Sequence, residues 1–147
     1  MVNITFVRQS DGYVFIVKEN SQPESYFFSI QNAMSLPESS LIVLRMQFGY
    51  LKALIEREIE DSSLRLKKLK IEVMEEMMRR DSKISKTAAS ELVYSDTTYY
   101  SLSEKINELE FYSGIVDTII KTIDLLIENS RRIGLNPHLQ YFPNEEA

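Results

Sequence analysis

The sequence predicts a mainly α protein: a long antiparallel helical hairpin with a short connecting helix, preceded by an N-terminal β-hairpin and assembled as an oligomer. Three observations carry this. Apolar residues recur every three or four positions along two long segments. A short Ser/Thr-rich stretch, RRDSKISKTAASELVYSDTTYY (79–100), interrupts them. Before both, apolar residues alternate at period two around an Asp-Gly pair.

The alternating segment comes first. Ile4 and Phe6, then Tyr13, Phe15 and Val17, flank Gln9-Ser10-Asp11-Gly12. Asp-Gly between such runs signals a hairpin, because glycine tolerates the positive φ of a tight turn. Strands are expected near 2–8 and 13–18. A lone hairpin is marginal in water, so it must dock or join another sheet. Ser21-Gln22-Pro23-Glu24 has capping-box spacing, and Tyr26, Phe27, Ile30 and Met34 suit a short helix after it. Tyr26-Phe27-Phe28 equally suits a third strand.

Ser35-Leu36-Pro37-Glu38 is a second capping-box pattern, with proline in the first turn, where its missing N–H costs nothing. Leu41, Leu44, Phe48, Leu51, Ile55, Ile59, Ser62, Leu66, Leu69, Val73 and Met77 then hold a helical period with no proline between them. A helix over about 37–80 would be roughly 64 Å long, the length of a coiled-coil or hairpin arm. Gly49 is its one weak point.

Ser82 or Ser85 is placed to cap a short helix through Val93, and Ser95 or Asp96 to cap the next. Tyr99, Leu102, Ile106, Leu109, Tyr112, Val116, Ile119, Ile123 and Ile127 form the second long stripe. Arg131, Arg132, Gly134 and Pro137 spell a helix stop. The organisation expected is 1–36 for the hairpin and short helix, 37–134 for the helical hairpin, and 135–147 for an irregular tail. Two antiparallel helices cannot bury the wide apolar face of the second. The N-terminal segment is one source of cover and a neighbouring subunit the simpler one. Leu109, Val116, Ile119, Ile120, Ile123 and Ile127 are therefore expected at an oligomer interface.

Composition narrows the function. The chain has 147 residues, which suits one domain, and 27% of them are charged, as in a folded soluble protein. It has no cysteine, which excludes disulfides, thiolate metal sites and thiol catalysis. No apolar run reaches the roughly 18 residues that span a bilayer, and no signal-peptide pattern opens the chain. A cytoplasmic protein without membrane contact is expected. The single histidine, His138, lies in the tail without a partner acid at a diagnostic spacing. Glu75-Glu76, Glu56/Glu60 and Asp117/Asp124 read as solvated helix faces. No phosphate-binding loop motif is present. The expectation is a protein that is not an enzyme, with no cofactor and no metal.

Charge is unevenly spread. Residues 64–86 hold eight Lys/Arg against four acids, and residues 87–128 hold two against eight. The two blocks suit mutual attraction, within a chain or between chains. The run Arg65, Lys67, Lys68 and Lys70 suits either a solvated face, with Glu72 and Glu75 as neighbours, or a phosphate-tracking stripe. Arg79, Arg80, Lys83 and Lys86 are the stronger candidates, with only Asp81 among them, although a cationic helix end also favours the helix dipole. Ser82, Ser85 and Thr87 are potential phosphate donors. Tyr94, Tyr99 and Tyr100 lie near enough to stack on bases, and cations beside aromatic platforms suit single-stranded nucleic acid. Tyr99 opens the apolar stripe and is expected to be packed.

From a charged helix ending in Arg79 and Arg80, through Lys86-Thr87 and Ser95-Asp96, to a helix with Phe111-Tyr112-Ser113-Gly114, Asp117 and Lys121, residues 60–133 resemble the UvsY family of phage recombination mediators. The resemblance implies rings of helical protomers that bind single-stranded DNA. It implies loading of a RecA-like recombinase in place of single-strand-binding protein, without ATPase activity, in the host cytoplasm if the gene is phage-borne. It maps the family's basic residues onto Arg79, Arg80, Lys83 and Lys86. The competing expectation is an acidic helical assembly or adaptor protein of a phage with no nucleic-acid binding. Such a protein would use residues 2–18 for strand addition and Tyr141-Phe142 for docking.

Overall fold

Ser10 and Asp11 form a two-residue turn between strands β1 (Asn3–Gln9) and β2 (Gly12–Lys18), with Gln9 opposite Gly12. The computed structural model describes residues 2–19 and 22–135. No described residue has a positive φ, so the turn does not use the conformation for which Asp-Gly was read. Gly12 is required for another reason. A Cβ there would lie 2.4 Å from the carbonyl oxygen of Phe28 on the next strand.

That strand, β3 (Glu24–Phe28), takes the second of the two readings open for Tyr26-Phe27-Phe28. The order is β1-β2-β3, antiparallel throughout. The N-terminal element is thus a three-stranded sheet, which supplies the extra strand a hairpin needs in water. The Ser21 cap lies outside the described residues. The short helix α1 (Ile30–Met34) is capped instead by Ser29, whose hydroxyl accepts from Asn32 N at 3.5 Å.

Ser35 does not open the next helix. Its hydroxyl donates to the Asn32 carbonyl at 2.8 Å, closing α1. Helix α2 (Glu38–Arg80) starts from Pro37, whose carbonyl accepts from Ser40 and Leu41. It runs through Gly49 without a break. Ser85 caps α3 (Lys86–Leu92), accepting from Ala88 N at 3.1 Å. A 3₁₀ turn (Val93–Ser95) follows. Asp96 then caps α4 (Thr97–Leu135), accepting from Tyr99 N at 2.9 Å. The protein is mainly helical with an N-terminal antiparallel sheet. No helix among the described residues is long and apolar enough to cross a membrane. The expectations for the 135–147 tail, including His138 and Tyr141-Phe142, lie outside the described residues beyond Leu135.

The chain divides into two compact units. The first comprises residues 1–53 and 114–147. Its sheet turns Phe15, Val17 and Phe28 inward, and the rings of Tyr26 and Phe28 meet Phe48 of α2 edge-on at 6.2 and 6.1 Å. Three ion pairs tie α2 to α4 here: Glu38–Arg131, Arg45–Asp124 at 3.1 Å and Lys52–Asp117 at 2.6 Å. Each step of seven up α2 is matched by a step of seven back along α4. Lys52 and Lys121 together hold the Asp117 carboxyl below the usual carboxylate range. Burial, followed by the hydrogen bond it donates to Glu24, pushes the Tyr26 phenol up to about 12.

The second unit comprises residues 54–113. Leu54, Ile55, Ala89, Val93, Tyr99, Ile106, Leu109 and Tyr112 are its buried apolar residues. Farther along α2 the stripe thins: Leu66, Leu69, Val73 and Met77 are only half-buried, and Leu64, Ile71 and Met78 are exposed.

Leu109, Val116, Ile119, Ile120, Ile123 and Ile127 are all buried within the single chain. Five of the six, all but Leu109, lie in the first unit with the sheet and α1, the N-terminal segment that the sequence offered as a source of cover. Side chains already removed from water have little apolar area left to offer a partner.

Candidate nucleic-acid interface

All eight cations of residues 64–86 lie in the second unit. The last turn of α2 presents Arg79 and Arg80, 71% and 79% exposed. Neither is as free of acids as the spacing suggested. Glu76, one turn back, receives Arg79 at 2.6 Å and Arg80 at 2.9 Å. One carboxylate between two guanidiniums leaves a net positive charge. Exposed i,i+3 and i,i+4 pairs contribute only about 0.2–1 kcal/mol, so a phosphate can compete for either arginine. Asp81 is committed to the turn after the helix, accepting from Lys83 N at 3.0 Å. The Lys83 side chain is exposed there.

Lys67 and Lys68 are exposed on α2. Arg65 turns back toward Glu58, at 3.9 Å. Lys70 is drawn elsewhere. Its ammonium sits 5.7 Å from the ring centroid of Tyr94, within cation–π range. Tyr94 follows α3 and is 60% exposed. Its ring meets that of Tyr99 edge-on at 5.5 Å, and Tyr99 itself is buried, as its place in the stripe requires. Met74, Lys86, Thr87, Ser90 and Glu91 join Tyr94 around a cleft of about 490 Å³. The structure thus splits the cations other than Arg65 into three groups. Lys70 and Lys86 flank a ring available for stacking. Arg79, Arg80 and Lys83 occupy the turn end, and Lys67 and Lys68 lie on an exposed helix face. Tyr100, 59% exposed, is a second accessible ring.

Sequence reasoning did not single out Glu58, and it counted Ser62 only as a member of the apolar stripe. Glu58 is buried, with Arg65 and Lys105 each at 3.9 Å. Ser62, one turn on, is fully buried with its hydroxyl unpartnered. The available signal was Ser62 itself, a polar residue at a stripe position.

A larger cleft, about 570 Å³, lies in the first unit, where Arg8, Asp11, Tyr13, Phe28, Ile119 and Thr122 are among its lining. Its lining includes both a cation and an acid near the hairpin tip, and the Thr122 hydroxyl donates to Thr118 O in its own helix. That arrangement has no bias toward an anionic ligand. No group of three or more metal-ligating side chains occurs among the described residues. Compared with known proteins, the chain matches no family model, no curated sequence and no solved structure.

Proposed function

We propose that the protein is a non-enzymatic, single-stranded-DNA-binding recombination mediator. It acts in the cytoplasm to load a RecA-like recombinase in place of single-strand-binding protein. The observation that carries the binding step is the Lys70 ammonium over the exposed Tyr94 ring, with Lys86 lining the same cleft. An aromatic face for a base beside cations for the backbone is the minimum apparatus for gripping a single strand. Arg79, Arg80, Lys83, Lys67 and Lys68 extend the positive path. In this reading α2 and α4 are the arms of an antiparallel hairpin, supported by the ion pairs 38–131, 45–124 and 52–117, and the protein is a homo-oligomer.

The test is a titration of a labelled mixed-sequence oligonucleotide across salt. Binding at about 50 mM salt should weaken as salt rises, with a log–log slope near −0.7 per phosphate neutralised. Tyr94→Ala should weaken it by the stacking of one base, about 1–3 kcal/mol. Lys70→Ala should reduce the slope by about 0.7. Absence of binding at that salt sinks the proposal.

A second reading, a helical assembly or adaptor protein without nucleic-acid binding, is favoured by one observation. Leu64, Ile71 and Met78 are exposed at steps of seven on α2, the spacing of a coiled-coil seam. Both readings accommodate self-association, so oligonucleotide binding separates them and solution mass does not.

A further inference from the structure

The cleft around Tyr94 contains a group that a pure phosphate grip would avoid. Glu91 lines it together with Met74, Lys86, Thr87 and Ser90. Its carboxylate repels a backbone phosphate. It is therefore unexplained by electrostatic tracking, yet it stands three residues before the ring that would stack a base. Volume fits as well: about 490 Å³ falls within the range of small-ligand sites.

We propose that this cleft holds one nucleobase and selects it by its hydrogen-bond donors, guanine first and thymine or uracil last; the proposal rests on the single-strand-binding reading above. An ionised carboxylate only accepts hydrogen bonds. The Watson–Crick edge of guanine presents N1–H and an N2 amine side by side, and the two oxygens of Glu91 accept that pair in parallel, as they would an arginine fork. Adenine and cytosine offer one amine each. Thymine and uracil offer a single N–H between two carbonyls, whose lone pairs face the carboxylate and repel it. Tyr94 supplies the stacking face, with Met74 as apolar lining. Lys86 and the Thr87 hydroxyl take the sugar-phosphate on the same nucleotide, so Glu91 faces the base and not the backbone.

The test uses the full chain and an oligo-dT host of about 12 residues, within the reach of single-strand sites, carrying one central guest base in lithium buffer. Guests are guanine, hypoxanthine (inosine) and thymine. Inosine keeps the purine ring for stacking and lacks only the N2 amine. Guanine should bind about five- to tenfold tighter than thymine, with inosine between them. Glu91→Gln, at an exposed position where folding is checked by circular dichroism, should bring guanine and inosine within about twofold of each other. Equal binding of guanine and inosine by the unaltered protein, or a guanine preference that survives Glu91→Gln, overturns the selection and leaves strand binding standing. No binding of any strand overturns both.

Discussion

The two units use charge in opposite ways. In the first, α2 and α4 pair their opposite charges: Glu38 with Arg131, Arg45 with Asp124, Lys52 with Asp117. In the second, α2 carries cations toward solvent or toward Tyr94, and the one buried carboxylate, Glu58, is flanked by Arg65 and Lys105. The same helix thus contributes to a register ladder at one end and an exposed positive face at the other. Net charge, −5, describes neither. What a charged residue does is set by what lies within a few ångströms, since exposed charges beyond about 8–10 Å are screened at physiological salt. Exposed pairs contribute little energy each, so the ladder's main effect is to fix one register of α2 against α4 in the first unit.

The contrast is broken most severely at Gly12. Substitution by alanine places a methyl group 2.4 Å from the Phe28 carbonyl, a backbone atom that cannot rotate away. The strands must separate, at a cost of about 1–3 kcal/mol, the range for overpacking. Urea denaturation of Gly12→Ala should show that loss, whereas Lys70→Ala in the second unit should stay within about 0.5 kcal/mol of the parent, as surface substitutions do. An unchanged midpoint for Gly12→Ala would overturn the register of β2 on β3.

A smaller effect of opposite sign is expected in the second unit. Ser62 buries a hydroxyl without a partner, in a helix where serine is already inferior to alanine. Leaving a polar group unsatisfied is the costly case, and removing it is close to free. Ser62→Ala should raise stability by about 0.5–1 kcal/mol, read as a higher urea midpoint at constant m-value. A fall would mean that the hydroxyl takes part in holding Glu58.

These sites also mark how far the sequence was legible. The two long helices stood out because their apolar period runs for some ten turns and nothing local competes with it. The β1–β2 hairpin was legible from its alternation. Gly12 was identified for the wrong reason: periodicity shows that a turn is present but not which backbone will pass close by. Ser35 was assigned to α2 because a capping box is a local pattern, and the pattern does not show that α1 ends there and claims the hydroxyl. For the six α4 residues expected at an oligomer interface, periodicity showed that the stripe is apolar but not whether the N-terminal segment or a second subunit covers it. At the candidate site, the cations and tyrosines were legible as types. Glu76 was overlooked because it precedes the basic cluster by one helical turn, and the pairing of Lys70 with Tyr94 joins residues too distant in sequence for spacing to connect.

The mildest test concerns the ladder itself. Asp117 is held below the usual carboxylate range by hydrogen bonds from Lys52 and Lys121, reinforced by their charge. A carboxylate with a lowered folded pKa binds fewer protons folded than unfolded. Its contribution is therefore fully present above the unfolded value, about 4, and is lost as pH falls through the folded value. Asp117→Asn removes the titrating group and keeps the shape. The gap in Tm between parent and variant should be widest at neutral pH and should close as pH drops below about 4. Raising salt should narrow the gap at neutral pH, because these groups are only half-buried and exposed charge pairs are screened. A gap independent of pH would mean that Asp117 supports the first unit through shape alone, and the charge ladder would then set no register.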